Sequence, residues 1–274
     1  MVLVVAAGLV YTFTDSGRNF IQAYVVKPVI GLKSSNPPPA PLSDAALATM
    51  SNAINTVINN NSGIDMSVSL IDLSDNQAEQ YGDSSAFTAA STTKLITAAD
   101  FLHEVELGQQ SLNETVNGHT AVYEIQQMIV VSDDEAWDDL NELLGFNQLQ
   151  FYANSVGLSS FQSVANTVTS NDMATLLEQL YEGQLLNSIN TQLLLSYMKQ
   201  ANYRQYIVPA VPSDDTIYHK VGLYEDNVDD EAIIVNGKKA FAIVIFTNGN
   251  GIYNWPARAQ MMQQITGSAL AAYF

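Results

Sequence analysis

The sequence predicts an α/β (α+β) fold, an antiparallel sheet of about five strands flanked by terminal helices, with an all-helical lobe inserted. Two observations lead there. Two strand-like stretches lie near the start of the folded part and three near its end, with an uninterrupted helical block between them. Both outermost segments carry helical spacing, so an antiparallel sheet covered by the terminal helices satisfies the order economically.

Each element has a local reason. Ser43 followed by Asp44 makes a cap for DAALATMSNAINTVINN, which is apolar at helical spacing up to an Asn-rich stop. MSVSLIDL, Met66 to Leu73, alternates like a half-buried strand, Ser74-Asp75-Asn76 turns the chain, and QAEQYG returns it. From Thr92 to about Ala201 the pattern becomes helical: KLITAADFLHEVELG, YEIQQMIVV, EAWDDLNELLG, LQFYANSVG, SNDMATLLEQLYEG and NTQLLLSYMKQ. Several of these segments end in Gly, the residue that most easily adopts a left-handed stop. Strands return in TIYHKVGLY and in EAIIVNGKKAFAIVIFTNG, where Asn236-Gly237 between two β-rich runs marks a hairpin. WPARAQMMQQITGSALAAYF closes the chain as a helix.

Composition narrows the function. The chain has 274 residues, 47% of them hydrophobic, enough for one large domain or two intimate lobes. Twenty-eight acids against ten bases give a net charge of −18, which argues against nucleic acid and against charge-driven binding to anionic lipid. Solubility explains the acidity better than an acidic-tail function does. Without cysteine the chain can form neither disulfides, thiolate metal sites nor a cysteine nucleophile.

The first residues, MVLVVAAGLVYTF, are apolar from Val2 to Phe13, shorter than the ~20 residues of a spanning helix and not preceded by a basic residue. They read as the core of an export signal or anchor, with a truncated gene start or a buried strand as alternatives. Lys33 to Leu42, KSSNPPPAPL, suits a semi-rigid tether, so the folded domain begins near Ser43.

The chemistry centres on FTAASTTKLITAAD, Phe87 to Asp100. A lysine three residues after a serine at a helix start projects within one turn of the serine's hydroxyl. Serine is a poor nucleophile until a base takes its proton, and lysine can be that base when burial or another cation disfavours its ammonium. The first-turn N–H groups can stabilise an oxyanion at Ser91. A second S-x-x-K match, Ser196 to Lys199, lies mid-helix, where no N–H donors are free. It reads as Ser196 packing and Lys199 solvated or snorkelling.

MIVVSDDEAW then puts Ser132-Asp133-Asp134 at the end of an apolar helix, and YHKVGLY puts Lys220-Val221-Gly222 on a strand. In order and structural context these three stretches resemble the S-x-x-K, S-D-N and K-T-G elements of class A β-lactamases and penicillin-binding proteins. The likeness runs from about Ser43 to Phe274. It implies an α/β lobe at 43–86 and 206–274 and a helical lobe at 87–205, beside the anchor or signal plus linker that composition assigns to 1–42.

The resemblance implies a catalytic set of Ser91 as acylated nucleophile, Lys94 as its base, Ser132 as proton relay, and Lys220 as the charge that depresses Lys94 and attracts a substrate carboxylate. Asp134, Val221, Gly222 and Leu223 would bind substrate, with the N–H groups of Ser91 and Leu223 as oxyanion hole. It implies a β-lactam or peptidoglycan-like substrate and neither cofactor nor metal; the charge argues against nucleic acid, the apolar N-terminus points to an extracytoplasmic location, and a monomer is the default expectation.

Three departures bear on activity. The motif threonine is Val221, removing a hydroxyl worth roughly 1 kcal/mol or more of binding to a substrate carboxylate. The motif asparagine is Asp134, whose charge would favour the Lys94 ammonium, while Asp133 reads as a structural helix cap. The loop SSFQSVANTVTSND, Ser159 to Asp172, holds no Glu to activate a deacylating water, and Asp172 reads as a helix cap. An acyl-enzyme should therefore form more readily than it breaks down. A binding module without catalysis is the competing expectation. His103 and His119 lie away from the motifs, and alternation turns His219 to the far face of the sheet.

Overall fold

The computed structural model describes residues 41–274; the predicted anchor and most of the tether lie outside the described residues. In chain order the elements are α1 (Asp44–Asn60), β1 (Asp65–Asp72), β2 (Ala78–Gly82), β3 (Phe87–Thr88), a 3₁₀ turn (Ala90–Thr93) and α2 (Lys94–Glu106). There follow β4 (Thr115–Val116), β5 (His119–Thr120), α3 (Ala121–Val130), α4 (Asp134–Leu144), α5 (Phe146–Ser155), β6 (Thr167–Val168), α6 (Ser170–Tyr181) and α7 (Ser188–Gln200). After a second 3₁₀ turn come β7 (Thr216–Tyr224), β8 (Asn227–Asn236), β9 (Lys239–Asn248) and α8 (Trp255–Tyr273). The expected architecture is present: an antiparallel five-stranded sheet ordered β2-β1-β9-β8-β7, with the helical block between β2 and β7.

The sheet separates two cores. On one face Met50 and Ile54 of α1 and Met262 and Ile265 of α8 pack against Ile243 and Ile245. On the other face Ile233, Val244 and Phe246 meet the helical block through Phe87, Phe101 and Met128. Each such side chain removed from water contributes about 2 kcal/mol before entropy is charged against it. Every residue of α2 from Lys94 to Leu102 is buried, so this helix is enclosed on all sides. A lysine in its first turn is therefore largely desolvated. Among the described residues no helix is long and apolar enough to cross a membrane.

Four local expectations are corrected. The hairpin at Asn236-Gly237 uses Gly237-Lys238 as its two loop residues, because Asn236 still pairs with Lys239 and only Gly237 needs the left-handed φ of 59°. β8 starts at Asn227, ahead of the EAII run, and so takes in three consecutive acids that do not read as strand. The cap of α6 is Thr169, whose side chain accepts from Asp172 N at 3.2 Å. Asp172 instead accepts from both the backbone N and Oγ of Ser160, each at 2.7 Å, and pins the preceding loop. Ser196 is exposed, not packed, and donates back to Leu193 O at 2.7 Å.

Candidate active site

Ser91 lies in the 3₁₀ turn that leads into α2, and the backbone there is forced. Ala90, immediately before it, has φ 47°, a region that costs a side-chain-bearing residue about 1 kcal/mol or more. Asn166, itself at φ 51°, holds the turn in place from the loop before β6. Its Nδ2 donates to Ala90 O at 2.9 Å, its Oδ1 accepts from Thr93 Oγ1 at 2.5 Å, and its carbonyl accepts from Ala89 N at 3.0 Å. Pairing of β3 with β6 adds a second tie between the same segments. Sequence reasoning missed Asn166, since a single loop Asn carries no motif. Asn166→Ala should lower stability by about 2 kcal/mol, read as a reduced urea midpoint at unchanged m.

Lys94 is fully buried one turn after Ser91. Its Nζ donates to Ser132 O at 2.8 Å and to Asp134 Oδ1 at 2.5 Å, and lies 5.3 Å from the centre of the Trp137 ring. Burial lowers the pKa of Lys94, and Asp134 opposes that with its hydrogen bond and its charge. The Asp134 side chain is 83% exposed, so water screens half of this ion pair. Asp133 caps α4, accepting from Ala136 N at 3.1 Å, which frees Asp134 to face Lys94.

Ser132 sits between α3 and α4 at φ 64°, another forced backbone position. Lys220, buried on β7, donates to Ser132 Oγ at 2.7 Å and to Val221 O at 3.0 Å. Burial and the nearby Lys94 bring the Lys220 pKa down to about 7. Thus α2, the α3–α4 turn and β7 bring Lys94, Ser132 and Lys220 together. No hydrogen bond reaches Ser91 Oγ among the described residues.

The strand side explains the remaining positions. A Cβ on Gly222 would lie 2.6 Å from Ala89 O and 3.2 Å from Ala90 Cβ, so glycine is what lets β7 approach the Ser91 turn. β7 is an edge strand whose hairpin closes on the pair Tyr224–Asn227. Alternation from that closing pair turns the N–H of Leu223 to the open edge, away from β8. The side chain of Val221 packs into the core shared with α1 and α8, leaving only its carbonyl on the Lys220 side. His219 is buried on the far face, 3.3 Å from Asp230 Oδ1 and from Ala201 O. His119 contacts Glu124 at 2.8 Å and His103 packs on Tyr152, both with partners outside the motifs.

The family model for the β-lactamase enzyme family matches residues 49–273, almost the whole described chain. The chain belongs to the β-lactamase enzyme family. Solved structures share the fold of this β-lactamase-family protein at low identity. A β-lactamase from Xanthomonas campestris pv. campestris superposes with a TM-score of 0.77 at 18% identity, covering 83% of this chain and 98% of that one. An ancestral class A β-lactamase gives 0.76 at 19%, covering 82% of this chain and 100% of its own. A PBP-A variant, solved as an acyl-enzyme complex with penicillin G, gives 0.76 at 19%, with 83% and 97% covered. Among curated proteins none matches the sequence.

Proposed function

We propose that this β-lactamase-family protein is an acyl-transfer serine hydrolase acting through Ser91 on β-lactams or related cell-wall amides and esters. The observation that carries the reading is the pair of buried lysines, Lys94 and Lys220, that meet Ser132 beside the Ser91 turn, with Lys220 Nζ 2.7 Å from Ser132 Oγ. Ser91 Oγ bonds to the acyl carbon while its proton passes to Lys94. As the acyl–nitrogen bond breaks, Ser132 gives its hydroxyl proton to the departing nitrogen and is reprotonated from Lys94. The outward N–H of Leu223 and that of Ser91 stabilise the oxyanion, an effect typically worth about 3 kcal/mol per donor. The PBP-A variant trapped with penicillin G is the relative whose described state fits this chemistry.

Deacylation is slow in this reading. The loop from Ser159 to Asp172 has no glutamate, and its one acid, Asp172, is held by Ser160. Intact-protein mass after exposure to a penicillin, run beside hydrolysis of a chromogenic cephalosporin, tests the proposal. A lasting acyl adduct with little product is expected; product without adduct marks a true lactamase, and neither adduct nor product rules out β-lactams. An extracytoplasmic location belongs to the same proposal.

The grip of Asp134 on Lys94 favours a second reading, a fold kept for binding alone. Asp134→Asn separates the two. Removing the carboxylate takes away what raises the Lys94 pKa, so the neutral amine persists to lower pH. The acid limb of the acylation profile should move down, with several-fold faster acylation near neutrality; a binding module stays unlabelled in both forms.

A further inference from the structure

Strand β8 carries three consecutive acids, Asp229, Asp230 and Glu231, all fully buried. An unpaired carboxylate in such a place costs several kcal/mol, so each needs a physical account. Asp230 faces the α1 and α8 side, where it accepts from Ile207 N at 3.0 Å beside His219. Asp229 Oδ1 accepts from Thr247 N at 2.9 Å, while its Oδ2 has no partner. Glu231 makes no hydrogen bond through either oxygen. In the β7–β8 register Glu231 pairs directly with Lys220. Paired residues share a face of the sheet, with Cβ atoms roughly 5 Å apart. A buried carboxyl without other partners therefore stands beside the lysine that holds Ser132.

We infer that Glu231 is a positioning residue for acyl transfer, which sets, through its buried carboxyl in register beside Lys220, the charge that Lys220 presents to Ser132. This rests on the reading of Ser91, Ser132 and Lys220 proposed above. The reason lies in hydrogen-bond direction. A Lys220 ammonium can only donate to Ser132 Oγ, which leaves the hydroxyl proton of Ser132 free for a departing nitrogen. A neutral Lys220 amine can accept that proton and withdraw it.

Burial and Lys94 push Lys220 toward the neutral form, whereas Glu231, Asp230 and Asp134 favour the ammonium. Burial pushes Glu231 well above the usual carboxylate range, Lys220 draws it back, and Asp229 and Asp230 raise it further. Arg258, on α8, acts on Asp229 from behind the sheet. Of the groups that favour the ammonium, Glu231 is the one paired in register with Lys220. The sign follows: without the Glu231 charge, Lys220 loses its proton at lower pH.

The seven lysines of the sequence make the test direct. With ¹³C-labelled lysine, the Lys220 side-chain resonance is assigned through Lys220→Arg and titrated by NMR in the intact chain. Glu231→Gln is expected to lower its midpoint by about one pH unit, and Glu231→Asp to restore most of the difference. In parallel, the alkaline limb of penicillin acylation should move down by the same amount, a loss of rate that approaches roughly tenfold above the wild-type midpoint. A folded Glu231→Gln protein with an unmoved Lys220 midpoint overturns the inference, whatever its melting temperature does. If Glu231→Gln does not fold, the wild type decides: the Glu231 carboxyl and Lys220 must share inflections, and independent midpoints overturn the inference. A Lys220 shift in a wild type that penicillin never acylates removes the acyl-transfer reading and leaves the proton coupling standing.

Discussion

Exposed to a penicillin or a fluorophosphonate, the Ser91→Ala variant is expected to gain no mass, whereas the wild type gains one acyl or phosphonyl group. The loss should exceed about a thousandfold, because removing a covalent nucleophile removes the route itself and leaves only binding and oxyanion stabilisation. Stability should barely change. Ser91 is partly exposed, no hydrogen bond reaches its Oγ among the described residues, and the strained φ of 47° belongs to Ala90, which the variant keeps. That contrast separates nucleophile from structural residue. Labelling that survives in Ser91→Ala would move the nucleophile elsewhere, and Ser132, held by Lys220, would be the next serine to replace.

Gly222→Ala should damage the candidate active site severely. The added carbon would lie 2.6 Å from a backbone carbonyl, that of Ala89, and 3.1 Å from Thr92 Cγ2. Neither neighbour can yield cheaply, since Asn166 and the β3–β6 pairing fix that turn while β8 fixes β7. Separating strand from turn spoils the distance between the Leu223 N–H and Ser91, and a displacement of about 1 Å can cost a hundredfold in rate. Overpacking adds a stability loss of about 1–3 kcal/mol. Acylation kinetics and the urea midpoint of the same variant measure both. An unimpaired acylation rate would show that the N–H of Leu223 plays no part.

The lettered motifs gave a correct order of elements and a correct family, because S-x-x-K at a helix start, a serine at a helix end and K-x-G on a strand each carry their own local signature. Asp133 was legible as a cap for the same reason: capping is settled within three residues along the chain, and Ala136 N is where the rule puts it. Asp172 was misread because two oxygens compete for one helix end. Thr169 took the cap, and Ser160, twelve residues earlier, claimed the carboxylate. Asn166 and Glu231 were invisible, since each acts across strands or loops that only the folded chain brings side by side.

By itself the sequence determined the fold class and the family and nominated candidate residues, since periodicity, caps and turn residues are short-range properties of the chain. Tertiary structure alone decided the surroundings that shift their titration. The pKa values of Lys94 and Lys220 depend on burial and on Asp134 and Glu231, and desolvation in a closed core has no counterpart in the order of the letters.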